Sequence, residues 1–350
     1  MKVIDLGTAV EIKDVDLYDD EQCREVGRIA AHECVVFIDK SEDRIDEKRL
    51  HDLQLLWGEP SKGFIHKAVA EGRLNGSHWR DVKLYIGYIA NAIKDYADTM
   101  SRVSFLRDDK NRPTGLFTTG RLDWHCDQQS KVDSQRIIGL MSLFGSEGSQ
   151  TTFLRTSEAY EALNPEDKTM VDELITVWGW DGTMGAMELK DPAEQEAMIY
   201  SNIPIDGMET PLTETTATGR KGFRFPNYAF SHFKGMTREE SLEYRSHLWS
   251  LVNRPEYVYT RDWKDGQIVF MDQNITLHAR PTNVQEGMTR TMVRNITYMN
   301  KLFPGNDPVD YVLFDGEKVP YETFLDMVDQ KKLNEYNNKK KTRSELWLKT

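Results

Sequence analysis

The chain has 350 residues, 39% apolar and 29% charged, with 45 Lys and Arg against 57 Asp and Glu and a formal net charge of −12. A surface of that sign repels phosphate backbones and excludes broad nucleic-acid binding, while 8 Trp, 14 Tyr and 14 Phe exclude wholesale disorder. No apolar run approaches the ~20 residues of a membrane helix, and the charged opening MKVIDLGTAVEIKDVDLYDDEQ carries neither a signal-peptide core nor a twin-arginine pattern, so a cytoplasmic protein without membrane contact is expected.

In chain order, residues 20–33 place apolar side chains at helical spacing, and CVVFID at 34–39 follows as a short buried strand. A second helix is expected over 46–57, ending at the punctuation of Gly58 and Pro60. Residues 83–103 fit helix or strand equally. From 115 to 155 the character turns to short β-like runs: GLFTTGRLDWHCD, RIIGLMSLF and TTFL. One helix is expected over 156–176, capped by Thr156 or Ser157, and another over 237–252, opened by Thr237 with Glu239 and Glu240 in its first turn. QIVFMD at 267–272 and TRTMVRNITYM at 289–299 read as strands. The expected architecture is mainly β with flanking helices, as a single domain over 1–335 and a polar, basic tail over 336–350. Cys23, Cys34 and Cys126 form no CxxC pair, which excludes a disulfide framework or a thiolate zinc site and fits a reducing compartment.

The candidate chemistry starts at His125 and Asp127. In a strand these alternate positions project together, while Trp124 and Cys126 point the other way. An imidazole beside a carboxylate is two-thirds of a facial metal site, and a second histidine would complete a set that favours non-heme Fe(II). By itself a His-x-Asp pair arises about once by chance in a chain of this composition. Further along, His278 follows the strand QIVFMD and the polar turn QNIT. Arg290, Met292, Arg294 and Ile296 then share one face of the next strand. Pointed into a barrel, the two guanidinium groups need anionic partners, and the arginine fork suits a carboxylate. On an edge strand they would simply be solvated.

Taken in order, these segments resemble the TauD/TfdA family of Fe(II)- and 2-oxoglutarate-dependent dioxygenases. AHECVVFIDK with LWGEP is similar to the family's N-terminal helix–strand and Gly-x-Pro turn, and LDWHCD to its Trp-His-x-Asp iron motif. GSQTTF with SEAYEALNPEDK resembles the Gly-Gly-Asp-Thr stretch and the helix after it. TGRKGFRFPN, MTREES, DWKDGQIVFMDQNITLH and TRTMVRN resemble the C-terminal half. The resemblance implies a double-stranded β-helix (jelly-roll) core, with His125, Asp127 and His278 as iron ligands. It also implies that Arg290, helped by Thr151, pairs with the distal carboxylate of 2-oxoglutarate. Arg294 takes the position that in some members grips an acidic group of the substrate, and Gln128 lies where members differ and is expected to face the substrate.

The implied activity consumes O2 and 2-oxoglutarate and hydroxylates a small anionic or amino-acid-like molecule with release of succinate and CO2. Ser149 and Gln150 depart from the family's Gly-Asp, so Thr152 could share the role of Thr151. Gln267 and Met271 stand where Asp and Trp are usual. Desaturation, cyclisation, a peptide or carrier-bound substrate, and a non-enzymatic jelly-roll binder stay open as alternatives. A halogenase is disfavoured because chloride needs the position that Asp127 would fill. An oligomer is compatible with the sequence but not required by it. Trp178 and Trp180 fit core or lid packing better than substrate stacking, and His232 and His247 fit surface or capping roles better than metal binding.

Overall fold

The computed structural model describes residues 1–61, 99–107, 109, 114, 115, 117, 121–127, 130–179, 207–227, 229–281, 288–321, 323, 324 and 327. Their elements, in order, are β1 (Lys2–Asp5), β2 (Val10–Lys13), α1 (Asp20–Glu33), β3 (Val35–Asp39), α2 (Glu47–Leu55), β4 (Met100–Ser104), β5 (Leu122–His125), β6 (Arg136–Phe144) and β7 (Gln150–Arg155). Then come α3 (Ser157–Glu161), α4 (Pro165–Glu173), β8 (Ile175–Trp178), β9 (Met208–Pro211), β10 (Thr213–Thr215), β11 (Lys221–Phe223) and β12 (Phe230–Phe233). The remainder are α5 (Arg238–Val252), β13 (Val258–Asp262), β14 (Gln267–Asp272), β15 (Thr276–Arg280), β16 (Thr291–Tyr298), β17 (Tyr311–Phe314) and β18 (Glu317–Pro320).

A seven-stranded sheet in the order β1-β2-β3-β14-β6-β16-β4 packs against a four-stranded sheet in the order β13-β7-β15-β5. The core between them is built by alternation. Phe37, Val269, Met271, Ile138, Leu140, Met292 and Ile296 come from the large sheet, and they meet Phe153 and Leu122 from the small one. Their neighbours on the same strands, among them Ile38, Ile268, Phe270, Ile137 and Val293, point outward onto α1 and α2. The outer face of the small sheet, with Cys126, Leu154 and Leu277, is covered by α3, α4 and α5. This double coverage is why QIVFMD is apolar at successive positions.

The helix starts follow local chemistry. Asp19 accepts hydrogen bonds from the amides of Glu21 (2.9 Å) and Gln22 (3.0 Å) to open α1, and Thr237 with Glu240 forms a capping box on α5. The single helix expected over 156–176 is instead α3 and α4, followed by a strand. Asn164 caps the second helix by accepting from the Asp167 amide (2.9 Å), and Pro165 opens its first turn, where a proline ring is tolerated. Thr156 does not cap α3: its hydroxyl reaches the Ile275 carbonyl (2.7 Å) and accepts from the Phe223 amide (2.8 Å), tying the helix to the sheet. Residues 100–104 of the ambiguous stretch are a strand; 83–98, like the tail over 336–350, lie outside the described residues. No helix among the described residues is long and apolar enough to cross a membrane.

Beneath the site, Asp133 ties β6 to β16 and the segment after it. Its Oδ2 accepts from Tyr298 Oη (2.6 Å) and Lys131 Nζ (3.0 Å) and lies 3.7 Å from Arg136, while Oδ1 accepts from the Val309 amide (3.1 Å). Burial pushes its carboxyl pKa up, but Arg136, Lys131 and the Tyr298 hydrogen bond outweigh this and hold it below the ordinary value. A depressed folded-state value means stabilisation that is fully present above the unfolded carboxylate pKa. It is lost as pH falls through the folded value. Asp133→Ala should therefore lower unfolding free energy at pH 7 by about 3–5 kcal/mol in urea titrations. The gap to the parent should narrow in acid; an equal gap at pH 7 and pH 3 would show that the carboxylate charge contributes nothing.

Candidate active site

The turn between β14 and β15 is shaped by Asp272, whose Oδ1 accepts from the amides of Asn274 and Ile275 (2.7 Å each). That turn delivers His278 into β15, directly opposite His125 at the end of β5. The two imidazole centroids are 4.2 Å apart. Asp127, two residues beyond His125, places Oδ1 3.8 Å from His125 Nε2. One ligand atom from each of His125, Asp127 and His278 lies within 4.8 Å of the others, and these three form the single such group of three or more among the described residues. Between the first two, Cys126 turns away, its thiol donating to the Thr276 carbonyl (3.2 Å).

Protonation suits metal binding. His125 Nδ1 lies 2.6 Å from the Asp123 carbonyl, which assigns the proton to Nδ1 and leaves the Nε2 lone pair facing the site. Burial pushes His125 down, only partly opposed by Asp127. Burial, with His125 adding to it, pushes His278 down to about 3. Both imidazoles are thus neutral at pH 7. For Asp127, burial acts upward but is outweighed, chiefly by the charge of Arg294, so the carboxylate is held ionised. Two neutral imidazoles and one carboxylate on adjacent positions fit a divalent iron with open coordination positions. Outer partners hold the carboxylate in place: Arg294 Nη1 donates to Asp127 Oδ2, and Gln273 Nε2 donates to the Asp127 carbonyl.

β16 lies between β6 and β4 and is not a solvated edge; Arg294 sits on it, and Arg290 immediately precedes it. Arg290 is 3% exposed, with Nη2 and Nε 2.6 and 3.0 Å from Met292 Sδ and its guanidinium carbon 5.4 Å from the Phe105 ring centroid. No carboxylate among the described residues pairs with it. Burial, reinforced by the charge of Arg280, pushes it down to about 9, still cationic at pH 7. Thr151 accepts from Trp263 Nε1 (2.8 Å), an indole that can only donate, so its own hydroxyl proton is available to another acceptor. It shares the inward face of β7 with Phe153, whereas Thr152 lies on the other face, accepting from Thr260 Oγ1 (3.2 Å).

Gln128 and Trp180 lie outside the described residues. Trp178 is core, packed with Met208, Val312 and Phe324 and donating to Thr210 Oγ1 (2.9 Å). His232 Nδ1 lies 2.9 Å from Ser231 Oγ, and His247 lies against the Tyr244 ring, both away from the triad. Arg280 and Trp263 were missed from the sequence. The signal for Arg280 was present, since period 2 carries the face of His278 to position 280.

A metal-binding triad held between the facing sheets of a double-stranded β-helix defines the class of fold. The family model described as "Taurine catabolism dioxygenase TauD, TfdA family" matches residues 5–295, and the chain belongs to that family. A taurine dioxygenase structure from Burkholderia xenovorans superposes with a TM-score of 0.58 at 18% identity, over 91% of this chain and 92% of that chain. The structure of AAD-2 in complex with Mn(II) and N-oxalylglycine gives a TM-score of 0.58 at 20% identity, over 85% and 96%. At these identities the likeness establishes the fold. Pentalenolactone F synthase of Streptomyces arenae is 24% identical over 191 residues, 51% of this chain and 62% of that protein. An alkylsulfatase of Acinetobacter baylyi is 23% identical over 187 residues, 52% and 58%. The chain thus spans about six-tenths of the length of these curated relatives.

Proposed function

We propose that the chain is an Fe(II)- and 2-oxoglutarate-dependent oxygenase that hydroxylates a small anionic or amino-acid-like molecule. The observation that carries this is the His125–Asp127–His278 group with two neutral imidazoles and one ionised carboxylate. Bound there, iron supplies the chemistry by which 2-oxoglutarate, O2 and R–H give succinate, CO2 and R–OH, one oxygen atom entering each organic product.

The protein's own part is positioning. Arg290, cationic and without a carboxylate partner among the described residues, would take the distal carboxylate of 2-oxoglutarate, and Thr151 would donate its hydroxyl proton to the same group. The apolar walls of Met292, Ile296, Phe153 and Leu122 keep water away from the reacting centre. Arg294 spends one donor on Asp127 and retains others in its fork for a substrate anion. Relatives named taurine dioxygenase and alkylsulfatase support sulfonates and sulfate esters, beside carboxylates, as classes to test.

We read residues 1–335 as one oxygenase domain followed by a basic tail, in line with a family match over 5–295. Three buried free thiols fit cytoplasmic residence. An acidic chain gives nucleic acid no purchase.

The test is a screen of carboxylates, sulfonates, sulfate esters and amino acids for substrate-stimulated, Fe(II)-dependent succinate, with products followed by mass spectrometry. A true substrate should give one hydroxylated product per succinate, and Arg294→Leu should lower that ratio while 2-oxoglutarate still binds. If succinate formation does not depend on Fe(II), the oxygenase reading fails.

A further inference from the structure

We propose that Arg280 is a second cationic arm of the site for the distal carboxylate of the 2-oxo acid, working beside Arg290. The proposal rests on the oxygenase reading above and deepens it, because it assigns a selectivity-determining residue to that site.

The strand ladder places Arg280. On β15, His278 pairs with Phe153 and Ala279 with Thr152; on the other side His278 pairs with His125 and, past an irregularity in the register, Arg280 pairs with Leu122. Phe153 and Leu122 both belong to the core between the sheets. Arg280 therefore faces inward, on the same side as Thr151 and His278. It is 4% exposed, its Nη1 donates to the Phe117 carbonyl (3.0 Å), and its guanidinium carbon lies 5.0 Å from the Phe105 ring centroid. Arg290 sits 5.4 Å from the same centroid. The two guanidinium carbons are thus separated by no more than the sum of those distances, and the charge of Arg280 is felt at Arg290.

Two buried like charges around one aromatic ring, with a threonine hydroxyl on the neighbouring strand, make a place that favours negative charge. A carboxylate has acceptor sites enough for the fork of Arg290, a donor from Arg280 and the Thr151 hydroxyl together. The ring of Phe105 stacks with both cations and limits how they can turn. The consequence is selectivity: a dianionic 2-oxo acid long enough to reach this end is favoured over a monoanionic one, and Arg280 supplies part of the difference.

The experiment is anaerobic calorimetry on Mn(II)-loaded protein with 2-oxoglutarate and with 2-oxobutyrate, which keeps the 2-oxo acid end but lacks the distal carboxylate. Arg280→Leu should weaken 2-oxoglutarate by roughly 10- to 100-fold, the range for losing a hydrogen bond to a charged group. It should leave 2-oxobutyrate within about twofold of the parent, the scale of effects on groups that make no direct contact. Arg280→Lys, which keeps the charge if the leucine variant folds poorly, should show a smaller loss confined to 2-oxoglutarate. Equal weakening of both ligands would mean that Arg280 only shapes the fold, and no change in either would also overturn the proposal. If Arg290→Leu also leaves 2-oxoglutarate affinity untouched, the co-substrate site itself is misplaced, and the oxygenase reading of these residues falls with it.

Discussion

His125→Ala and His278→Ala are each expected to bring Fe(II)-dependent turnover to background while the protein stays folded. Three donors lie within 4.8 Å of one another, and removing either imidazole leaves one nitrogen and one carboxylate, too few to hold a divalent ion in a fixed frame. Losing only an outer hydrogen-bond partner of a metal ligand costs roughly 10- to 100-fold in affinity or activity, so losing the ligand itself should exceed that range. Folding should survive, because the cores on either side of the sheet are built from other side chains, such as Phe153 inside and Leu277 outside. His125→Ala also leaves the Asp123 carbonyl without its Nδ1 partner, at the end of a strand, which is a modest cost. The measurement is metal content after gel filtration, together with product formation and a thermal melt. A variant that retains one iron per chain and parental turnover would place the metal elsewhere.

Arg290→Leu is expected to weaken 2-oxoglutarate binding by about 30- to several-thousand-fold, corresponding to ~2–5 kcal/mol for a buried charge-assisted contact. In the ligand-free protein this guanidinium is held against Met292 Sδ and the Phe105 ring with no carboxylate partner among the described residues. Its burial is a cost until an anion arrives, so leucine should leave the ligand-free protein as stable as the parent or more so. Affinity and stability should thus move in opposite directions, which a merely structural arginine would not produce. Arg290→Lys should recover only part of the affinity, since an ammonium cannot reproduce the planar fork. Urea titrations of the ligand-free variants and calorimetry on their Mn(II) forms read the two quantities separately. Parental affinity in Arg290→Leu would assign the carboxylate to another cation.

The parts of the fold that could be read from the chain were those whose signal is local. Helix α5 is announced by Thr237 and Glu240, and β14 by an unbroken apolar run that only a strand covered on both faces requires. The break at Pro165 was legible in principle, because Asn-Pro is a helix-opening pair, yet apolar spacing on both sides suggested one long helix. Short strands such as β9 to β12 escaped because three or four residues carry too little periodicity to stand out. For the site, the spacing of His125 and Asp127 and the shared face of Arg290 and Arg294 could be read from period 2. The meeting of His278 with His125 could not, since their pairing across β5 and β15 is a property of the sheet and not of either segment. The same holds for the contact of Arg294 with Asp127, and for the single aromatic ring that Arg280 and Arg290 share.

The most direct measurement is an anaerobic titration of the Fe(II)-loaded protein with 2-oxoglutarate, followed by the visible charge-transfer absorbance that arises when a 2-oxo acid chelates Fe(II). The expected band saturates at one 2-oxoglutarate per chain, is absent from His278→Ala, and needs far more 2-oxoglutarate in Arg290→Leu. A parent protein that binds iron but develops no such band at saturating 2-oxoglutarate would contradict the oxygenase reading.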